Sequence, residues 1–169
     1  MAPLIVLLTV FSLTSLAAYL GLGKRGDWVT RLRLALAAMF LLTASAHWGS
    51  MRPDLVRMVP TAFPNPELLV TITGIAEILG AIGLLVPRLA PYAATGLVLL
   101  MLAVFPANVR AAREGLTIGG APVWGVAARG LLQLFFIACT LAAGFGRQLL
   151  ARGTARHGAV PGPGPLACG

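Results

Sequence analysis

Between Glu67 and Arg110 two apolar runs of helical length follow one another, separated only by Pro87, Arg88, Leu89, Ala90 and Pro91. The first, Leu68 to Pro87, holds 20 residues with Glu77 as its one charge. About 20 residues of helix span a hydrocarbon core about 30 Å thick, so the pair reads as a transmembrane hairpin. Composition supports this: 58% of the 169 residues are hydrophobic and 11% charged, with a mean hydropathy of +0.88. A soluble domain is about half apolar and a quarter charged. The excess is too large for one buried core and is gathered into runs, which implies a polytopic, all-α membrane protein.

Three more runs flank the hairpin. Residues 1–23 are uncharged, and positive charge follows them at Lys24, Arg25, Arg31 and Arg33. A cleaved signal peptide carries its basic region first and a shorter apolar core, so this run reads as a retained first helix with its N-terminus outside. The second span starts near Leu34 and stays uncharged to Met51, with Trp48 as an interfacial anchor. Residues 52–66 (RPDLVRMVPTAFPNP) hold four prolines, which discourage regular helix, and read as a short interfacial piece across the bundle mouth. The fourth span carries Pro106, expected to break or kink its last turn. A glycine-bearing loop covers 110–122, and a fifth span covers 123–146, with Trp124 at its edge. Residues 147–169 end in a Gly/Pro-rich stretch too poor in apolar surface to order itself, giving an expected disordered tail.

The formal charge of +8 lies mostly in short segments between apolar runs, where Lys and Arg act as topology signals. No contiguous basic face with interleaved aromatics follows a phosphate backbone, so nucleic acid is not an expected partner. With five spans, the inner segments would carry Lys24, Arg25, Arg31, Arg33, Arg88, Arg147, Arg152 and Arg156. The outer loops would carry Arg52, Arg57, Arg110 and Arg113. Eight against four puts the N-terminus outside and the C-terminus inside. The two cysteines, Cys139 and Cys168, form no CxxC pair, so a self-contained dithiol mechanism is excluded. No metal site is expected, because His47 has no His, Cys or carboxylate at ligand spacing and His157 lies in the tail.

On that topology His47, Asn108 and Arg129 come out near the outer leaflet, Gln133 one turn deeper, and Glu77 near the midplane. These five side chains are the candidate ligand-binding set. A carboxylate at bilayer depth costs several kcal/mol unless neutralised, paired or solvated. Three roles for Glu77 stay open: a hydrogen-bonded structural acid, a binding or proton-handling group, or a solvated pore residue. One face of its helix is small or polar (Thr73, Gly74, Glu77, Gly80, Ala81). The other carries Ile75, Ile78, Leu79, Ile82 and Val86, so Glu77 should point into the bundle. His47 is a general base, a quinone hydrogen-bond partner or a helix cap. Arg129 either pairs with Glu77, Asn108 or carbonyls freed by Pro106, or holds an anionic headgroup or substrate oxygen. No nucleophile with an adjacent base, phosphate-cradling loop or paired carboxylates occurs, and catalytic residues cannot be assigned.

The runs AHW, GIAEILGAIGLLVPR, VFPANV and RGLLQ, within Leu34 to Gly146, resemble the DoxX-like family of small bacterial membrane proteins. The resemblance implies a four-helix membrane core over 34–146, here preceded by one extra N-terminal transmembrane helix. Its motif positions fall on His47, Pro60, Pro64, Gly74, Glu77, Gly80, Gly83, Pro87, Pro106, Asn108, Arg129 and Gln133, with Trp48 where Phe is common. It further implies the bacterial inner (plasma) membrane and an accessory or anchoring role for a redox-linked partner such as a soluble oxidoreductase. The polar pocket would then take a small ligand or lipid head. The alternative is a catalytic subunit of a quinone-linked oxidoreductase; no cofactor motif is evident, and quinone is the class such a site would take. A transporter is disfavoured, since two repeated halves with discontinuous helices are not evident.

Overall fold

The computed structural model describes residues 2–22, 27–122 and 124–157. In order these form α1 (Ala2–Tyr19), α2 (Trp28–Ser45), α3 (Arg52–Met58), α4 (Pro66–Leu85), α5 (Ala90–Arg113), a two-stranded hairpin of β1 (Thr117–Ile118) and β2 (Ala121–Pro122), and α6 (Val126–His157). Among the described residues, α1, α2, α4, α5 and the Val126–Leu149 part of α6 are each long and apolar enough to cross a membrane.

α2 packs on α4, α4 on α5, α5 on α6, and α6 back on α2, while α1 lies against α2. At the centre meet Leu36, Met39 and Phe40 of α2, Ala81 and Leu84 of α4, Ala94 and Leu97 of α5, and Ala143 of α6. Glycines set how closely these helices approach. A methyl group at Gly83 would lie 2.8 Å from the Ala93 side chain, and one at Gly144 would run into Ala94. Small faces of this kind allow close backbone contact where lipid offers no hydrophobic drive between helices.

α4 follows its sequence pattern closely. Val70, Gly74, Ala81 and Leu84 are buried, whereas Leu68, Ile72, Ile75, Leu79 and Ile82 are all more than 45% exposed. An outward stripe of that kind would be costly in water and suits acyl chains.

Five boundaries differ from expectation. α2 begins at Trp28, not near Leu34, because Asp27 caps it: Thr30 N–H donates to Asp27 Oδ1 at 2.8 Å. Arg31 and Arg33 therefore belong to the helix, not to the preceding loop. The 52–66 segment contains a true helical turn pair, α3, with Pro53 in its first turn, where a missing N–H costs little. α5 does not stop at Pro106 but runs on to Arg113. The expected 110–122 loop contains the hairpin, whose turn residues Gly119 and Gly120 have φ of 59° and 78°, the left-handed pair a two-residue turn requires. Finally, α6 passes through Arg147 to His157, so the expected tail boundary falls inside a helix. The expectation of disorder for 158–169 lies outside the described residues, as do Lys24 and Arg25.

Candidate functional site

The five predicted residues separate into an α2–α4 group and an α5–α6 group. In the first, Thr43 is the hub. Its hydroxyl oxygen lies 2.9 Å from Glu77 Oε2 and 2.9 Å from the Phe40 carbonyl oxygen. Its own carbonyl oxygen is 3.3 Å from His47 Nδ1, which donates in the tautomer that fits. Glu77 thus faces α2 from the buried stripe of α4, as its spacing from Gly74 and Ala81 requires.

His47 sits just beyond α2, in a turn held by His47 N–H donating to Ala44 O at 3.0 Å. Its ring and that of Trp48, with centroids 6.0 Å apart, lie over Gly74. A methyl group at Gly74 would come within 2.8 Å of both side chains, so glycine there is what lets the turn close on α4. Burial pushes the His47 imidazole below its ordinary value, and nearby Arg52 acts in the same direction. Arg52 closes the group from outside, donating to His47 O at 2.7 Å and to Thr71 Oγ1 at 2.9 Å.

In the second group, Gln133 Nε2 donates to Met101 O at 2.8 Å, and Asn108 Nδ2 donates to Gln133 Oε1 at 3.4 Å. Pro106 removes the donor that would serve the carbonyl at Leu102, and Gln133 bonds the carbonyl one residue earlier, at Met101. One turn from Gln133, on the same side of α6, Arg129 has its Nη1 buried with no hydrogen-bond partner among the described residues. It pairs with neither Glu77 nor Asn108. No hydrogen bond joins the two groups among the described residues.

Residues of the proline-rich segment line an open surface groove. The groove, of about 400 Å³, is bounded by Val56, Val59, Pro60, Phe63, Arg110 and Leu116, with none of the five predicted residues in its wall. Arg110 donates to Val59 O and, at 2.8 Å, to Glu114, while Asp54 accepts from Gly119 N at 2.8 Å and pairs with Arg57. These contacts tie α3 and the hairpin to the end of α5.

Sequence reasoning missed a third polar centre, at the opposite end of α2. Arg33 is 4% exposed, and its Nε donates to Ala143 O at 2.8 Å. Arg147 reaches back to Asp27 at 2.9 Å and Thr30 at 2.8 Å, holding the Asp27 carboxyl well below the usual carboxylate range. The available signal was Asp27 three residues before Thr30, a capping pattern that moves the helix start upstream and carries Arg33 inside.

Among the described residues, no group of three or more His, Cys, Asp or Glu side chains is placed to hold a metal ion. No curated protein and no solved structure matches the chain. A family model described as a domain of unknown function (DUF8561) matches residues 36–143, which spans the α2–α6 ring and both polar groups but leaves α1 outside. That match covers more than half of the sequence, and the chain belongs to this family.

Proposed function

We propose that this chain is a DoxX-like, multi-pass protein of the bacterial inner membrane that serves as an accessory or anchoring component for a redox-linked partner, and that its bundle holds an oxygen of a small ligand or lipid head. The observation behind the ligand site is Arg129 Nη1, a buried cationic donor without an acceptor. Leaving such a donor unpaired costs more than a typical hydrogen bond gains, and a phosphate or carbonyl oxygen would satisfy it. Gln133 and Asn108, a turn away, would limit what else enters.

The proposed orientation keeps the N-terminus outside and the C-terminus in the cytoplasm. Because Arg33 is committed to α6 carbonyls, it drops out of the charge balance, and seven inner cations remain against four outer ones.

The test is mass spectrometry of lipids and quinones carried by protein extracted gently from membranes. Wild type should retain a phosphate- or carbonyl-bearing molecule that Arg129→Gln loses. Equal retention by both overturns the ligand site. Co-purification with a soluble oxidoreductase after cross-linking tests the accessory role. The second reading, a quinone-linked catalytic subunit, draws on the Glu77–Thr43–His47 alignment and requires a donor-dependent change in quinone absorbance that Glu77→Gln abolishes.

A further inference from the structure

Thr43 has one hydroxyl hydrogen and two oxygen neighbours at hydrogen-bond distance. The Phe40 carbonyl oxygen and Glu77 Oε2 are each 2.9 Å from Thr43 Oγ1. A backbone carbonyl can only accept. If Glu77 were a carboxylate it too could only accept, and one of the two contacts would set lone pair against lone pair. If Glu77 carries a proton, every contact has a hydrogen: Glu77 donates to Thr43 Oγ1, and Thr43 donates to Phe40 O.

The charges around Glu77 favour the same placement. Among the described residues the ion pairs are Arg57–Asp54, Arg110–Glu114 and Arg147–Asp27, so no cation balances Glu77. From α2 it faces Thr43, with His47 a turn farther along, and at the start of α3 Arg52 is engaged with His47 O and Thr71. From α5, Leu97 and Ala93 pack on Gly80 and Gly83. From α3, Asp54 and Arg57 pair with each other at the mouth. On α4 itself the other acid, Glu67, lies ten residues away, or about 15 Å along the axis. An ionised, unpaired carboxylate at such a position is the costly state.

We propose that Glu77 is a proton-binding site built between α2 and α4: its carboxyl group is held as the neutral acid, donating to Thr43, which relays its own hydrogen to the Phe40 carbonyl. The site stands independently of any ligand at Arg129.

Infrared spectroscopy of the full chain in lipid vesicles at neutral pH tests this, because a carboxylic acid and a carboxylate absorb in separate regions. The sequence has only five acidic side chains, Asp27, Asp54, Glu67, Glu77 and Glu114, so assignment is tractable. The wild-type minus Glu77→Gln difference spectrum should contain an acid carbonyl band that shifts in heavy water. Thr43→Val should move that band to higher frequency, as loss of its hydrogen-bond acceptor requires. A difference spectrum showing carboxylate bands instead overturns the proposal, and an unmoved band in Thr43→Val overturns the assigned acceptor. Should Glu77→Gln not fold, wild type labelled with carbon-13 on glutamate carboxyls gives the same readout: an isotope-shifted acid band supports the site, and carboxylate bands alone overturn it.

Discussion

Arg33 and Arg129, each with guanidinium atoms enclosed in this bundle, are treated in opposite ways. Arg33, on α2, is almost wholly enclosed, yet its guanidinium meets the Ala143 carbonyl, with Gly144 O at 3.5 Å. Arg129, on α6, keeps more contact with its surroundings but leaves Nη1 buried and unpartnered. One end of the molecule is therefore a closed clasp, in which Arg33, Asp27, Thr30 and Arg147 bind α2 to α6. The other holds spare donor capacity. The Arg33 contacts contribute to the fold, whereas the spare donor of Arg129 has a reason to meet something else; Arg31 Nε, beside the clasp, is likewise buried without a partner among the described residues.

Arg33→Ala should have the largest effect. It removes hydrogen bonds from a charged donor, worth roughly 1.5–3 kcal/mol, and leaves a void against α6, so a loss of about 3 kcal/mol is expected. Arg33→Lys should recover only part of it, since an ammonium cannot reproduce the guanidinium fork. Thermal unfolding in detergent reads both. An unchanged midpoint for Arg33→Ala would dissolve the distinction between the two ends.

Arg129→Met is expected to act in the reverse direction. In stripped detergent the variant should match wild type or exceed it by about 1 kcal/mol, because an unpaired buried donor is replaced by an apolar chain of similar length. Adding anionic lipid should raise the wild-type midpoint and leave the variant's unchanged, as mass action on one state requires. A large loss without lipid would make Arg129 a structural residue like Arg33.

These contrasts mark what could be read from the chain. The α4 faces were legible because 3.6-residue periodicity alone separates Gly74, Glu77 and Ala81 from Ile75, Leu79 and Ile82, and the small residues at α4–α5 announce close packing. The clasp was not. Arg31 and Arg33 look like loop charges until the Asp27 cap is recognised, and the partner of Arg33 is a backbone carbonyl 110 positions away, which no side-chain pattern records. At Pro106 local propensity allows a break or a kink, and of these the break does not occur, since α5 runs on to Arg113. That Glu77 bonds to α2 while Asn108 and Gln133 bond to each other depends on which helices are neighbours around the ring, and spacing within one helix says nothing of that.

Asp27 gives a smaller, pH-dependent contrast. Its carboxyl is held below its ordinary range chiefly by Arg147 and then Thr30. A depressed acid contributes stability that is present above the unfolded value and lost as pH falls through the folded one. Lowering pH below about 4 should therefore weaken wild type more than Asp27→Asn. Because the pair is partly exposed, the difference at neutral pH should be about 0.5–1 kcal/mol and shrink with salt.

Glu77→Gln should change least, and that is its diagnostic value. Asn in place of Asp27 removes a charge from an ion pair, but Gln in place of Glu77 exchanges one neutral hydrogen-bond donor for another of nearly the same shape. The amide can still donate to Thr43 Oγ1 while Thr43 serves Phe40 O, so the midpoint should stay within about 0.5 kcal/mol of wild type, the range of substitutions that disturb no contact. Glu77→Asp keeps the acid but shortens the arm by one methylene, withdrawing the donor from Thr43, and should cost about 1 kcal/mol as a lost hydrogen bond. If the order reverses, with the aspartate variant near wild type and the glutamine variant much weaker, a charge at position 77 matters more than reach. The interior acid would then resemble Asp27 in the clasp.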